Sequence, residues 1–159
     1  MEITPEAASH PAIQKLQTVF PNALINAGVS NGELTIEATP AAARACLELL
    51  RGAEELRFTL LSDLTAVDRF PVEPRFEVVY QLLSMETHQR LRVKARVPGD
   101  SPVIDSVISL WPAANMLERE VFDLFGIHFN GHPNLRRIMM PDDWEGHPLR
   151  KDYPVEGYR

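Results

Sequence analysis

Cysteine is nearly absent from this chain: Cys46 is the single one in 159 residues. One thiol permits no internal disulfide, so the expected home is a reducing cytoplasm. No stretch approaches the ~18 consecutive apolar residues of a membrane-spanning helix. The opening "MEITPEAASHPAIQ" lacks the basic and apolar regions of a secretory leader. There is no nucleophile elbow, phosphate loop or dinucleotide-binding glycine pattern. Gly126, Gly131, Gly146 and Gly157 stand singly, as turn glycines do. Positive charge is not in excess either, and a net charge of −6 argues against a nucleic-acid partner.

What is there is ordinary in amount and uneven in placement. Apolar residues make up 45% and charged residues 24%, the balance of a globular domain long enough to bury a core. Residues 1–125 hold 11 Lys+Arg against 17 Asp+Glu, whereas 126–159 hold 5 against 5. The body is acidic and the tail is neutral but densely charged.

Pattern reading predicts an α+β domain over 1–126, a mostly antiparallel five-stranded sheet with helices packed on one face. Pro5 opens a short helix, and "HPAIQKLQTVF" puts Ile13, Leu16, Val19 and Phe20 on one helical face. "NALINAGVSNGELTIEAT" reads as a hairpin turning at Asn31-Gly32. "PAAARACLELLRGA" is helical, which makes Cys46 a buried structural thiol rather than a nucleophile. "RFTLLSDLTAVDRF" is apolar enough for a central strand, and "RFEVVYQLL" and "RLRVKARV" form a hairpin that sets Glu77 near Arg96. In the last strand Arg90, Arg92, Lys94 and Arg96 alternate with apolar residues, a solvated sheet face in preference to a polyanion dock. "PVIDSVISLWP" and "AANMLEREVFDLFG" are predicted helical, ending at Pro112 and Gly126.

Two constellations invite chemistry. Glu118, Glu120 and Asp123 place three carboxylates in six residues, but Glu118 and Asp123 diverge around the helix and no third ligand converges on Glu120 and Asp123. Ion pairing with Arg119 or the tail is the expectation. His128, His132 and His147 would give a small metal-dependent enzyme its ligands, yet H-x3-H needs a helix and Gly131 and Pro133 deny one.

The tail, 127–159, is expected to be a long irregular arm, and so long a structureless segment is unusual in a compact domain. Trp144, Tyr153 and Tyr158 are side chains typical of interface anchors, Arg136, Arg137, Arg150 and Lys151 suit the carboxylates of a partner, and His147 is expected to meet that partner with them.

The run "EREVFDLFGIHFNGHPNLRRIMMPDDWEGHPLRKDYP" closely resembles the signature of the 30-kDa-type subunit of proton-pumping NADH–quinone oxidoreductase, respiratory complex I. Glu118, Arg119, Glu120, Asp123 and Gly126 match its helix. Arg137, His147, Arg150, Lys151, Asp152 and Tyr153 match the run that follows, and Leu61 to Asp68 looks like the family's central strand. The resemblance implies a chain that binds no cofactor, with FMN, iron–sulfur clusters and quinone held by partner subunits. It implies an arm wrapped on the 49-kDa-type subunit, beside the subunit that holds the terminal iron–sulfur cluster. The place implied is peripheral, at the cytoplasmic face of a bacterial inner membrane. Equivalent subunits of energy-converting membrane hydrogenases and ferredoxin-linked complexes share the pattern, so the electron donor stays open.

Overall fold

Proline starts three helices, where its missing N–H is one of the donors left unpaired anyway. In the computed structural model, which describes residues 2–158, these are α1 (Pro5–Ala8), α2 (Pro11–Val19) and α3 (Pro40–Gly52). Thr4 and His10 cap the first two, accepting from the N–H of Ala7 and Ala12. Ile13 and Leu16 are buried as expected, but Val19 turns to solvent. Cys46 is fully buried in α3, and burial pushes its thiol up to about 11. No helix among the described residues is long and apolar enough to cross a membrane.

Six strands make the main sheet: β1 (Glu2–Ile3), β2 (Leu24–Ser30), β3 (Glu33–Ala38), β4 (Leu60–Asp68), β5 (Phe76–Leu83) and β6 (Arg90–Val97). Their order is β1-β2-β3-β6-β5-β4. Asn31 and Gly32 both have positive φ, the turn expected of this pair. The sheet is mixed, where mostly antiparallel pairing was expected, because β1 pairs parallel with β2 and β3 parallel with β6. Helix α3 carries the chain across so that β4 runs the same way as β3. Two hairpin reversals then return β6 in that direction beside β3.

β4 lies at the sheet edge and not in the middle. Its apolar side chains are covered by a helix on one face, which gives a strand the same composition as two flanking strands would. Leu91, Val93, Ala95 and Val97 are fully buried beneath the helices, and their basic neighbours face the other way. Arg92 pairs with Glu33 at 2.8 Å and Lys94 with Glu77 at 3.2 Å. Glu77 does stand opposite Arg96, but its carboxylate goes to Lys94 and Arg69 and leaves Arg96 Nε unpartnered.

The segment after Pro102, expected to be helical, is instead β7 (Val103–Asp105), paired parallel with β8 (His128–Asn130). Its donors are spent elsewhere: the N–H of Ser106 on the Asn130 carbonyl, that of Val107 on Glu118, that of Ile108 on the Ser106 hydroxyl. A single turn follows, closed by the N–H groups of Leu110 and Trp111 on the Val107 carbonyl, before Pro112. Helix α4 (Ala114–Phe125) then forms as expected and ends at Gly126, φ 74°. Ile127 and Phe129 are buried, so residues 127–130 of the expected arm belong to the domain.

Candidate functional site

An α-helix ends with carbonyls that lack helical partners. In α4 those of Asp123, Leu124 and Phe125 are met from the arm, which runs without helix or strand from Gly131 to Tyr158. The protonated Nδ1 of His147 donates to the Asp123 carbonyl at 2.9 Å, the N–H of Leu149 to Leu124 at 3.0 Å, and Arg150 Nε to Phe125 at 2.6 Å. The Arg150 guanidinium also suits the helix dipole, whereas burial and the nearby Arg150 and Arg137 charges lower the His147 pKa, so its imidazole serves as a neutral donor.

Asp123 makes the fastening two-sided. Its fully buried carboxylate accepts from Arg137 at 2.6 Å through one oxygen and from the N–H groups of Ile138, Met139 and Met140 through the other. Burial alone would raise its pKa. The Met140 N–H, the Arg137 guanidinium and the N–H groups of Ile138 and Met139 outweigh that and hold the carboxyl below its usual range. Arg137 also donates to the carbonyls of Trp144 and Gly146, closing the arm into a loop. One turn earlier, Arg119 donates to the carbonyls of Arg136 and Arg137, both at 3.1 Å. The expected pairing between the carboxylates of α4 and the tail is thus found at Asp123. Glu120 is exposed.

Gly126 is where this arrangement is tightest. A Cβ there would stand 2.6 Å from both Arg150 Nη2 and His147 Nε2, and its left-handed φ already disfavours any other residue. Gly126→Ala is expected to destabilise the chain by about 1–3 kcal/mol. Trypsin cleavage at Arg150 or Lys151 should accelerate about tenfold for each ~1.4 kcal/mol of arm stability lost. Unchanged cleavage kinetics would show that the arm does not depend on this approach.

A second anchor joins the arm to the β4–β5 turn. Arg75, nearly buried, grips Asp68 with Nε and Nη2 at 2.9 and 2.8 Å. It grips Asp152 of the arm with Nη1 and Nη2 at 3.0 and 2.6 Å. The rings of Phe70 and Phe76 flank its guanidinium, at 4.8 and 4.9 Å to their centroids. Asp68 also accepts from the N–H of Lys151 at 2.8 Å. Despite burial, Arg75 and the N–H groups of Lys151 and Phe70 hold the Asp68 carboxyl far below its usual range. Asp68 and Arg75 escaped the sequence reading. Their partners in the arm lie 77 residues beyond Arg75 and 83 beyond Asp68, and the available signal was a charged residue ending an apolar strand.

Glu118 is chemically unlike Asp123. It is fully buried on the other side of α4, accepting from the Ser106 hydroxyl at 2.6 Å and the Val107 N–H at 2.7 Å, with no cation within salt-bridge distance. Burial raises its pKa and these two bonds only partly offset it. A folded pKa above the unfolded one means stability fully present below the unfolded value and lost as pH rises through the folded one. Glu118→Gln keeps an acceptor for Val107 and gains a donor for Ser106. It should match the parent near about pH 4, the unfolded carboxylate range, and be the more stable of the two near about pH 8. Parallel melting curves across that range would overturn this.

The residues expected to meet a partner therefore divide. Arg137, His147 and Arg150 are engaged inside the chain, whereas Arg136 and Lys151 present exposed side chains. Met139 is 63% exposed, Trp144 41% and Leu149 51%, an apolar surface on the fastened arm. Tyr153 stacks edge-on with Tyr158 at 5.3 Å. The histidines do not converge. His132 Nε2 donates to the Asn115 carbonyl, and among the described residues no three His, Cys, Asp or Glu are placed to hold one metal ion.

Fold and site together define an α+β domain on a mixed sheet, whose α4 and β4–β5 turn fasten an arm that leaves apolar side chains outward. The chain belongs to the family described as the 30-kDa subunit of respiratory-chain NADH dehydrogenase, whose model matches residues 36–159. It is 46% identical over 151 residues to the C-type subunit of NADH-quinone oxidoreductase from Geotalea uraniireducens (strain Rf4), covering 95% of this chain and 91% of that one. The same subunit from Roseiflexus sp. (strain RS-1) is 45% identical over 143 residues, covering 90% and 82%. Among solved structures, a trypsin-resistant fragment of Nqo5 superposes with TM-score 0.61 at 32% identity, covering 76% of this chain and 99% of that one. A chain of the membrane-bound sulfane sulfur reductase, an archaeal respiratory membrane complex, superposes with TM-score 0.76 at 29% identity, covering 90% and 84%.

Proposed function

We propose that this chain is a structural subunit of the hydrophilic arm of a proton-translocating NADH–quinone oxidoreductase. It binds no cofactor and braces the quinone-reducing module while electrons pass through FMN, iron–sulfur clusters and quinone held by its partners. The partners proposed are the 49-kDa-type subunit and the subunit that holds the terminal iron–sulfur cluster, at the cytoplasmic face of a bacterial inner membrane. The observation that carries the reading is the arm. Arg137 and Arg150 are spent on their own chain, and the arm turns Met139, Trp144 and Leu149 outward together with Arg136 and Lys151, an apolar surface edged by cations that suits a partner. The names of relatives at 45–46% identity support the same reading.

Mild-detergent extraction of native membranes, a native gel stained for NADH-dependent dye reduction, and detection of this chain in the same lane test the proposal. The chain should comigrate with a large NADH-active band. A band near the monomer's mass, from membranes whose complexes survived extraction, would overturn it. A large band without NADH activity would favour an equivalent subunit of a hydrogenase or ferredoxin-linked complex. Trp144→Asp combined with Met139→Asp should release the chain from the large band while leaving its own melting within about 0.5 kcal/mol, as for surface substitutions generally. Retention of the double variant would remove the arm from the interface.

A further inference from the structure

Away from the arm, α2 and α3 leave a groove of about 600 Å³ between them. Phe20, Ala45, Leu49 and Ala53 make an apolar floor, and Lys15, Glu48, Glu54 and Glu55 stand at the rim. Ala45, Leu49 and Gly52 follow one another at helical spacing, a second stripe on α3 beside the one that faces the core. Gly52 is informative. It is the last residue of α3, and it leaves the groove side of the helix end without a side chain. Its φ is not left-handed, and a Cβ there would meet no atom within 4 Å. The bare backbone is open to something from outside.

The charge at the rim says what kind. Lys15 is neutralised by Glu55 at 2.8 Å, and Glu48 meets Arg44 only at 3.7 Å, with both side chains exposed. Among the described residues Glu54 has no ion-pair partner. The groove is therefore apolar below and net negative above. We infer that it is a second docking surface, taking a lysine-bearing segment of another subunit that seats an apolar side chain between α2 and α3, with basic residues against Glu48 and Glu54. The inference rests on the proposed place of this chain in a multi-subunit assembly. The groove lies between α2, which packs on β2, and α3, which packs mainly on β6, whereas the arm is fastened at the β4–β5 turn. One chain with both surfaces joins two neighbours.

Zero-length carbodiimide coupling of the detergent-extracted assembly, followed by mass-spectrometric mapping, tests this directly. The expected result is an amide link from Glu48 or Glu54 to a lysine of another subunit, next to an apolar residue in that subunit's sequence. Gly52→Leu adds an apolar side chain to the groove lining at a position where a Cβ meets no atom within 4 Å. The isolated variant should melt no lower than the parent, while its link yield from Glu48 and Glu54 in the assembly falls about tenfold or more. An assembly that contains the chain but yields no link from either glutamate overturns the inference and leaves the proposed function standing. So does a link that persists in Gly52→Leu. A chain found outside any assembly overturns both.

Discussion

Asp123→Ala is expected to destabilise the folded chain by about 3–5 kcal/mol, the range for removing one partner of a buried ion pair. That corresponds to a melting temperature lower by on the order of 10 °C for a chain of this size. The loss is large because alanine leaves the Arg137 guanidinium and three N–H groups of residues 138–140 without an acceptor. The effect should depend on pH in one direction. The folded carboxyl is held below its ordinary value, so its stabilisation is present above about pH 4 and disappears as pH falls through the folded pKa. Parent and variant should converge in acid. Adding Arg137→Met to the alanine variant should cost less than it does in the parent, because the shared ion pair is already gone, and what is then lost is its bonds to the Trp144 and Gly146 carbonyls. A loss under about 1 kcal/mol for Asp123→Ala at neutral pH would mean that the arm is not fastened there.

Arg75→Leu is the second large effect, again about 3–5 kcal/mol. The leucine fills part of the space between Phe70 and Phe76 but leaves Asp68 buried with only backbone donors. Asp152→Asn should cost no more than about 1 kcal/mol, since its side chain is nearly half exposed and water replaces what the guanidinium supplied. Urea denaturation separates the two. Equal midpoints for the two variants would show that the link to the arm, and not the Asp68 pair, holds the energy.

Local patterns in the sequence were read correctly where neighbours along the chain decide structure. The proline-led helices, the Asn31-Gly32 turn, the β5–β6 hairpin and the Gly126 stop are all of this kind. The failures lie where distant segments decide. The parallel β3–β6 pairing leaves no trace in either strand, and the donors after Pro102 are claimed by Asn130 and Glu118. The arm shows the same division. Its charges were visible as a cluster, but Arg137 and Arg150 look the same in a sequence whether they meet another subunit or the end of their own helix. Asp123 was placed with the tail by its position on α4. Asp68 and Arg75 were not, since their pairing across the β4–β5 turn is completed by Lys151 and Asp152 of the arm, far along the chain.

The pairing of β3 with β6 also sets a schedule for the nascent chain. Leu34 meets Leu91, 57 positions later in the chain (91 − 34), so one edge of β3 has no neighbour until the β4–β5–β6 meander exists. At a synthesis rate of roughly 5–20 residues per second, that edge waits on the order of 3–11 seconds beyond the ribosome. During that interval Leu34 and Ile36, both destined for the core, flank an open row of backbone donors and acceptors. The β2–β3 hairpin is thus the stretch of this molecule most in need of shelter while it is being made.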